Sequence, residues 1–515
     1  MLKFLVITTC VLARDVISFK DVEIDSGVVR GYTAEDGDYL AYLGIPYAAS
    51  PTGIRRFKCP QFGKGDEDCL IVNVFTPTTV SNEPLPVLIY IHGGSFLMGS
   101  GQTKGVEPLI KQNIIVVTIN YRLGALGFLC LGINEAPGNA GLKDQVAALK
   151  WVQRNIREFG GDPNQVTIHG MSAGGASVDL LILSKMSKGL FHKAIIESGV
   201  ATAVWAVDAT PMHTALNFAK AFDFKNNNLY MLIDLYKRLP AKQLSATNNE
   251  YYQNLTDGTF GFVPCVEKKL VGIEPFLTES PHQMIKKKAF NKVPMMFIFA
   301  NLEGLYLRSS DYYELNYKER MEDNFKDFML ADLIFDSDEI RDQITRNIRY
   351  FYFGNKTIGD TTLREYLDYF GDSHILHGLL NSVETYAKDN ENVYLMEFAH
   401  SGKLGSFDQF YVDNNITMAG HGDAIKHVIL NKAIEDKSDE VAVDRMANIV
   451  ANFVKFSTDL LPLHWPAIYP NNVTYLRFDS DLQVLEEPYW DRKIYWDRLY
   501  EGYRRDIKAV DIGIL

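Results

Sequence analysis

The five residues Gly170-Met-Ser172-Ala-Gly174 constrain this chain more than any other stretch. They follow the apolar run Val166-Thr-Ile-His169 and lead into Gly175-Ala-Ser-Val-Asp-Leu-Leu-Ile-Leu183, which reads as a helix. A G-x-S-x-G pentapeptide in that setting is a sharp strand-to-helix turn. It lifts a serine hydroxyl above a sheet and needs glycine wherever a side chain would collide. The turn also aims a helix N-terminus at the serine, favouring negative charge there. The bare pattern is weak, but its position between strand and helix makes it specific. Ser172 is the candidate nucleophile.

The surrounding sequence predicts the sheet that such a turn requires. Val87–Ile91, Ile114–Ile119 and Val166–Ile168 are short, unbroken apolar runs rich in β-branched residues, as in strands buried on both faces. Between the second and third, Leu142, Val146, Leu149, Val152, Ile156 and Phe159 step by three or four, giving one helical face with Gly160 as its stop. Strand and helix then alternate through Lys193–Glu197, Val293–Phe299 and Val393–Phe398. This is an α/β pattern: a mainly parallel sheet covered by helices on both faces, here as an α/β-hydrolase fold. Residues 20–50 read as an antiparallel hairpin at the sheet edge, and 205–290 and 308–385 as mostly helical insertions. No linker divides the chain, so residues 14–515 are expected to form one domain.

Charge and composition exclude some partners. A formal charge of −12 repels nucleic acid and anionic membrane surfaces. No run reaches the roughly 18 apolar residues of a membrane span, and no lipid anchor is expected at Val510-Asp-Ile-Gly-Ile-Leu515. Residues 1–13 have one positive charge, an apolar run and a Val-x-Ala ending, the pattern of a secretory signal peptide. The competing reading is a buried first strand. Export to the extracellular space agrees with Asn-x-Ser/Thr acceptors at Asn254, Asn355, Asn415 and Asn472, although about three would arise by chance. Cys59 and Cys69 can close a small loop in an oxidising compartment. Cys130 and Cys265 sit in apolar runs and read as buried thiols.

A serine nucleophile needs oxyanion donors, a base and an acid. His92-Gly-Gly-Ser95-Phe96 follows a buried strand directly, where a tight loop can aim backbone N–H groups inward. Eleven histidines compete for the base. His169 lies inside a strand, His92 in the glycine loop, His192 before a strand, and His427 reads as helical. His421, in Gly420-His-Gly-Asp423, follows the late strand, where this fold supplies its base. Glu303 follows the strand Val293–Phe299, at the carboxyl edge where active residues of open α/β sheets gather. A helix-capping acid is the competing reading of Glu303.

These residues resemble the type-B carboxylesterase and cholinesterase family. The resemblance runs from about residue 20 to 500. It is densest in Asp66-Glu-Asp-Cys-Leu-Ile-Val-Asn-Val-Phe-Thr-Pro77, Asn120-Tyr-Arg-Leu-Gly124, Glu135-Ala-Pro-Gly-Asn139, Phe159-Gly-Gly-Asp-Pro163 and Gly170–Gly175. It implies a triad of Ser172, Glu303 and His421, an oxyanion hole of the Gly94, Ser95 and Ala173 amides, a buried Glu67–Arg122 pair, and a narrow gorge. Departures are informative. Ser95 stands where the family usually has glycine, implying a smaller acyl pocket. Met171 stands where relatives that hydrolyse juvenile hormone carry Gln. A cysteine pair expected near 220–240 is absent. The stretch from Arg56 to Glu67 is short, lacking a gorge tryptophan and the usual upstream cysteine, so that Cys59 is the remaining partner for Cys69 and a cholinesterase is disfavoured.

The expected function is hydrolysis of small carboxylic esters through an acyl-enzyme, with no metal or organic cofactor. The alternatives are a non-catalytic, neuroligin-like adhesion protein and a specialised hormone or odorant esterase. The first is disfavoured by the complete triad.

Overall fold

The computed structural model describes residues 19–51, 68–79, 81–253, 255–308, 315–405, 418–456, 465–469 and 472–509. The signal segment, Cys59, Glu67, Asn254 and Asn415 lie outside these residues.

Twelve strands form one sheet. In chain order they are β1 (Phe19–Ile24), β2 (Gly27–Thr33), β3 (Tyr39–Pro46), β4 (Ile71–Pro77), β5 (Leu85–Ile91), β6 (Ile115–Ile119), β9 (Gly161–Met171), β10 (Lys193–Glu197), β11 (Met295–Ala300), β12 (Val393–Phe398), β13 (Thr474–Phe478) and β14 (Leu482–Glu486). β7 (Cys130–Ile133) and β8 (Ala136–Pro137) make a separate small hairpin. The spatial order is β1-β2-β3-β4-β6-β5-β9-β10-β11-β12-β13-β14. Pairing is parallel from β6 through β13, with antiparallel strands at both edges. The edge hairpin and the parallel centre match the sequence expectation.

Strand periodicity divides the core into two. Leu88, Val116, Ile195, Met296 and Met396 face helix Lys437–Phe456 through Met446, Val450 and Val454. Their neighbours Ile89, Val117, Ile196, Phe297 and Leu395 belong to the opposite core. There they join Leu142, Val146 and Leu149 of helix Ala140–Asn155 and Leu379 and Val383 of helix His377–Ala387. Alternate side chains point to opposite faces of a strand, so an uninterrupted apolar run fills both layers. Each buried aliphatic side chain contributes about 1.5–3 kcal/mol, and Gly160 ends the Ala140–Phe159 helical segment at φ 84° as expected.

Three expectations need correction. Cys130 and Cys265 are buried but not thiols: they form a disulfide with a Cα–Cα distance of 6.7 Å. Their separation of 135 residues hides the contact. The Asn139 side chain anchors the Cys265 segment beside it, donating to Cys265 O (2.8 Å) and accepting from Cys265 N–H (2.9 Å). Cys69, expected to close a small loop with Cys59, is instead a buried free thiol. The third correction concerns the 205–290 insertion. It holds helices Pro211–Ala219, Leu229–Arg238, Ala241–Gln253 and Pro281–Lys286, but 255–280 is largely irregular.

Candidate active site

The central strands end level with one another: Met171 pairs with Glu197, Glu197 with Ile298, and Ala300 with Phe398. The chain segments that follow them therefore emerge along one edge of the sheet. Ser172 follows β9, Ser198 follows β10, Glu303 follows β11, and His421 lies on the segment after β12.

Ser172 has φ 60° and ψ −124°. A non-glycine residue held there costs on the order of 1–3 kcal/mol, and the surroundings enforce it. Ser172 N–H donates to Glu197 O at 2.8 Å. A Cβ on Gly170 would lie 2.1 Å from Gly174 O, and one on Gly174 would lie 2.1 Å from Ile91 O. Both flanking glycines are thus required by backbone packing. Helix Ala173–Leu183 begins immediately after Ser172, bringing its positive end to the turn.

The glycine loop closes on the same place. A Cβ on Gly93 would sit 3.0 Å from Ser172 Cβ. Gly94, Ser95 and Phe96 have φ of 111°, 55° and 58°, a run of left-handed residues that turns the loop sharply. Among the described residues the Gly94 and Ser95 amides donate to no backbone carbonyl, and the Ala173 amide, first in its helix, has no intrahelical acceptor. His92 supports this loop as its position suggested. Its ring stacks on Tyr121 at 4.5 Å, and Tyr121 Oη donates to His92 O at 2.9 Å. Burial pushes the His92 pKa down to about 4, so the ring is neutral near pH 7.

Glu303 and His421 meet: His421 Nδ1 lies 2.7 Å from Glu303 Oε2. Glu303 is buried. Its Oε1 accepts from Ser198 Oγ (2.7 Å) and from Ala300 N–H (2.8 Å). These donors fix the carboxylate in place. Glu303 does open a short 3₁₀ helix, Glu303–Arg308, but its carboxylate binds the Ala300 amide and two distant side chains, Ser198 and His421.

The two loops are stitched together. Leu302 N–H donates to Ala419 O at 3.0 Å, and Ala419 N–H donates to Asn301 Oδ1 at 2.9 Å. The turn at 420–423 is held by Asp423 Oδ2, which accepts from Gly420 N–H at 2.7 Å. A Cβ on Gly422 would lie 2.8 Å from Met171 Cε. The turn carrying His421 is therefore packed directly on the residue before Ser172. Glu197, which the sequence reading did not single out, joins these parts from below. Its Oε1 accepts Ile425 N–H at 2.9 Å, and its Oε2 lies 3.2 Å from His169 Nε2.

An aromatic cavity flanks the histidine, lined by Tyr252, Phe260, Tyr306, Tyr317, Phe370 and His374. The Tyr306 and His421 rings are 5.7 Å apart. Burial pushes His374 down to about 4 and Tyr306 well above its ordinary value. Tyr306 Oη and the neutral His374 Nδ1 are hydrogen-bonded at 2.6 Å. Arg122, which the resemblance pairs with Glu67, forks onto Asp144, with Nε–Oδ2 and Nη2–Oδ1 both 2.6 Å.

A strained serine turn, a glycine loop packed against it and a His–Glu pair at the carboxyl edge of a parallel sheet define an α/β-hydrolase. The sequence profile of the carboxylesterase family matches residues 61–495. The chain belongs to the carboxylesterase family and is a carboxylic-ester hydrolase of the serine type. It is 32% identical to Esterase FE4 of Myzus persicae, over 87% of this chain and 86% of that protein. It is 27% identical to a juvenile hormone esterase of Tribolium castaneum, over 94% of this chain and 86% of that one. Among solved structures, juvenile hormone esterase from Manduca sexta with OTFP covalently attached matches with a TM-score of 0.84 at 26% identity, covering 94% of this chain and 100% of the other.

Proposed function

We propose that ester cleavage proceeds through an acyl-enzyme on Ser172, with His421 as base and Glu303 as its orienting acid. The observation that carries this reading is the 2.7 Å contact of His421 Nδ1 with a Glu303 carboxylate already fixed by Ser198 and Ala300. With Nδ1–H donated to Glu303, the lone pair of the imidazole is on Nε2, the atom that takes the serine proton. The hydroxyl oxygen attacks the ester carbonyl, and the Gly94, Ser95 and Ala173 amides receive the oxyanion, each worth roughly 10²–10³ in turnover. His421 then protonates the leaving alcohol. Water repeats the sequence and frees the acid.

Substrates are small esters with a compact acyl group, because the Ser95 side chain occupies the loop that borders the acyl position. Met171 adds an unbranched, adaptable thioether beside it. The juvenile hormone esterase relatives favour a second reading, a specialised hormone ester. Residues 14–515 act as one exported domain, glycosylated at exposed Asn355 and Asn472 as well as at Asn254 and Asn415, and without affinity for nucleic acid. No helix among the described residues is long and apolar enough to cross a membrane.

A series of p-nitrophenyl esters with lengthening acyl chains tests this. The expected result is a burst of p-nitrophenol equal to enzyme for acetate and butyrate, with kcat/KM declining for longer chains. No burst, or a preference for long chains, would contradict it.

A further inference from the structure

Three side chains outside the ester site converge in a buried position. His400 lies just beyond β12, His427 at the end of the short turn Ile425–His427, and Asp439 in the first turn of helix Lys437–Phe456. One ring nitrogen of each histidine and one carboxylate oxygen all lie within 4.8 Å of one another. His427 and Asp439 are 0% exposed and His400 is 7% exposed. Nothing in the ester chemistry uses them.

The hydrogen-bond directions leave a defect. His427 Nδ1 faces Asp423 O at 2.8 Å. A carbonyl only accepts, so this nitrogen carries the proton, and the neutral ring presents a lone pair at Nε2. Nε2 is buried without a hydrogen bond and lies 3.5 Å from Asp439 Oδ1. Two lone pairs therefore face each other in the protein interior. His400 Nε2 approaches the same oxygen at 3.0 Å. The other oxygen, Oδ2, is taken by Leu404 N–H at 2.9 Å. A buried lone pair opposed to a carboxylate calls for a positive charge between them.

We propose that His400 Nε2, His427 Nε2 and Asp439 Oδ1 bind one divalent transition-metal ion of the Zn²⁺ type. Tetrahedral zinc with bonds of about 2.0–2.2 Å separates its ligand atoms by about 3.3 Å, close to the 3.0 and 3.5 Å found here. Two imidazoles and one carboxylate suit zinc better than calcium or magnesium, which take oxygen ligands. The bond from His427 Nδ1–H to a backbone carbonyl is the outer contact that orients a metal-bound histidine. A fourth position remains for water. Phe398 walls the site, its ring 5.0 Å from His427. Gly402 closes it, since a Cβ there would meet Asp439 Oδ1 at 1.8 Å. His427 is six residues beyond His421 on one segment, so the ion would pin the base-bearing loop to β12 and to helix Lys437–Phe456.

Co²⁺ and Zn²⁺ binding to the chelator-stripped full-length protein test this. The expected result is one equivalent of Co²⁺ with intense visible ligand-field bands of a four-coordinate site, displaced by one Zn²⁺, and a higher Tm for the loaded protein. His427→Asn and, separately, His400→Asn should each weaken Zn²⁺ binding by at least about a hundredfold, since losing even an outer contact of a metal ligand costs 10–100-fold. The wild-type spectrum is decisive if either variant fails to fold. Absence of stoichiometric Co²⁺ binding by the wild type, binding that survives both substitutions, or a metal-free protein whose His427 ring is a doubly protonated imidazolium by ¹⁵N NMR would each overturn the proposal.

Discussion

Glu303→Gln tests the proposed orienting role of this carboxylate with little change of shape. In the native site Oε1 accepts from Ala300 N–H and Ser198 Oγ, while Oε2 faces His421 Nδ1. The backbone amide of Ala300 is a fixed donor, so a glutamine must keep its carbonyl oxygen at the Oε1 position. Its NH₂ group then falls where Oε2 was, 2.7 Å from His421 Nδ1. Two donors cannot share that contact, and the imidazole moves its proton to Nε2. The base is then blocked by the wrong tautomer. An Asp→Asn change that does this in a Ser-His-Asp enzyme lowers kcat about 10⁴-fold, or about 5 kcal/mol of barrier. The assay is steady-state and pre-steady-state hydrolysis of p-nitrophenyl butyrate, with Tm measured in parallel. The expected outcome is a loss on that scale, carried in kcat, in a protein of nearly unchanged Tm. A folded variant retaining more than about a tenth of wild-type kcat, or losing activity only through KM, would refute the tautomer reasoning.

Other outcomes follow from the same structure. Cys130→Ala/Cys265→Ala opens a loop of 135 residues, and chain entropy sets the loss near 5 kcal/mol; urea unfolding should show it, and an unchanged midpoint would mean that the pair is reduced in the native protein. His374 contributes a pH-dependent term, because burial lowers its pKa from 6.5 to about 4. The unfolded chain binds more protons across that window, so the contribution is whole above about pH 6.5 and is lost as pH falls through about 4, on the order of 3 kcal/mol. His374→Asn cannot titrate, and urea melts from pH 7 to 4 should show a shallower decline than the wild type; parallel declines would contradict this. Gly174→Ala, whose Cβ would sit 2.1 Å from Ile91 O, should lower kcat by more than tenfold or prevent folding, and full activity in that variant would show that the turn is not so constrained.

Much of this site was legible because its parts are local. The strand, the serine turn and the helix after it are consecutive, and the glycines at 170 and 174 stand where a Cβ would strike backbone. The contact of Glu303 with His421 was readable from chain order, since each follows a strand that reaches the same edge. What sequence could not give is contact between distant residues. The Ser198 bond to Glu303, the Glu197 bond to Ile425 and the Tyr306–His374 pair all join segments with no periodic or motif signal. Cys130 and Cys265 looked like buried thiols because an apolar neighbourhood reports burial and says nothing of a partner 135 residues away. Strands β13 and β14 were missed because they lie beyond the strand-helix alternation, and β14 is half-exposed.

The most direct test of the central claim is labelling with a fluorophosphonate, followed by peptide mass spectrometry. One equivalent should attach to Ser172, labelling should vanish in Ser172→Ala, and it should slow by orders of magnitude in His421→Ala of unchanged Tm. Attachment to another serine, or a labelling rate indifferent to His421, would contradict the account.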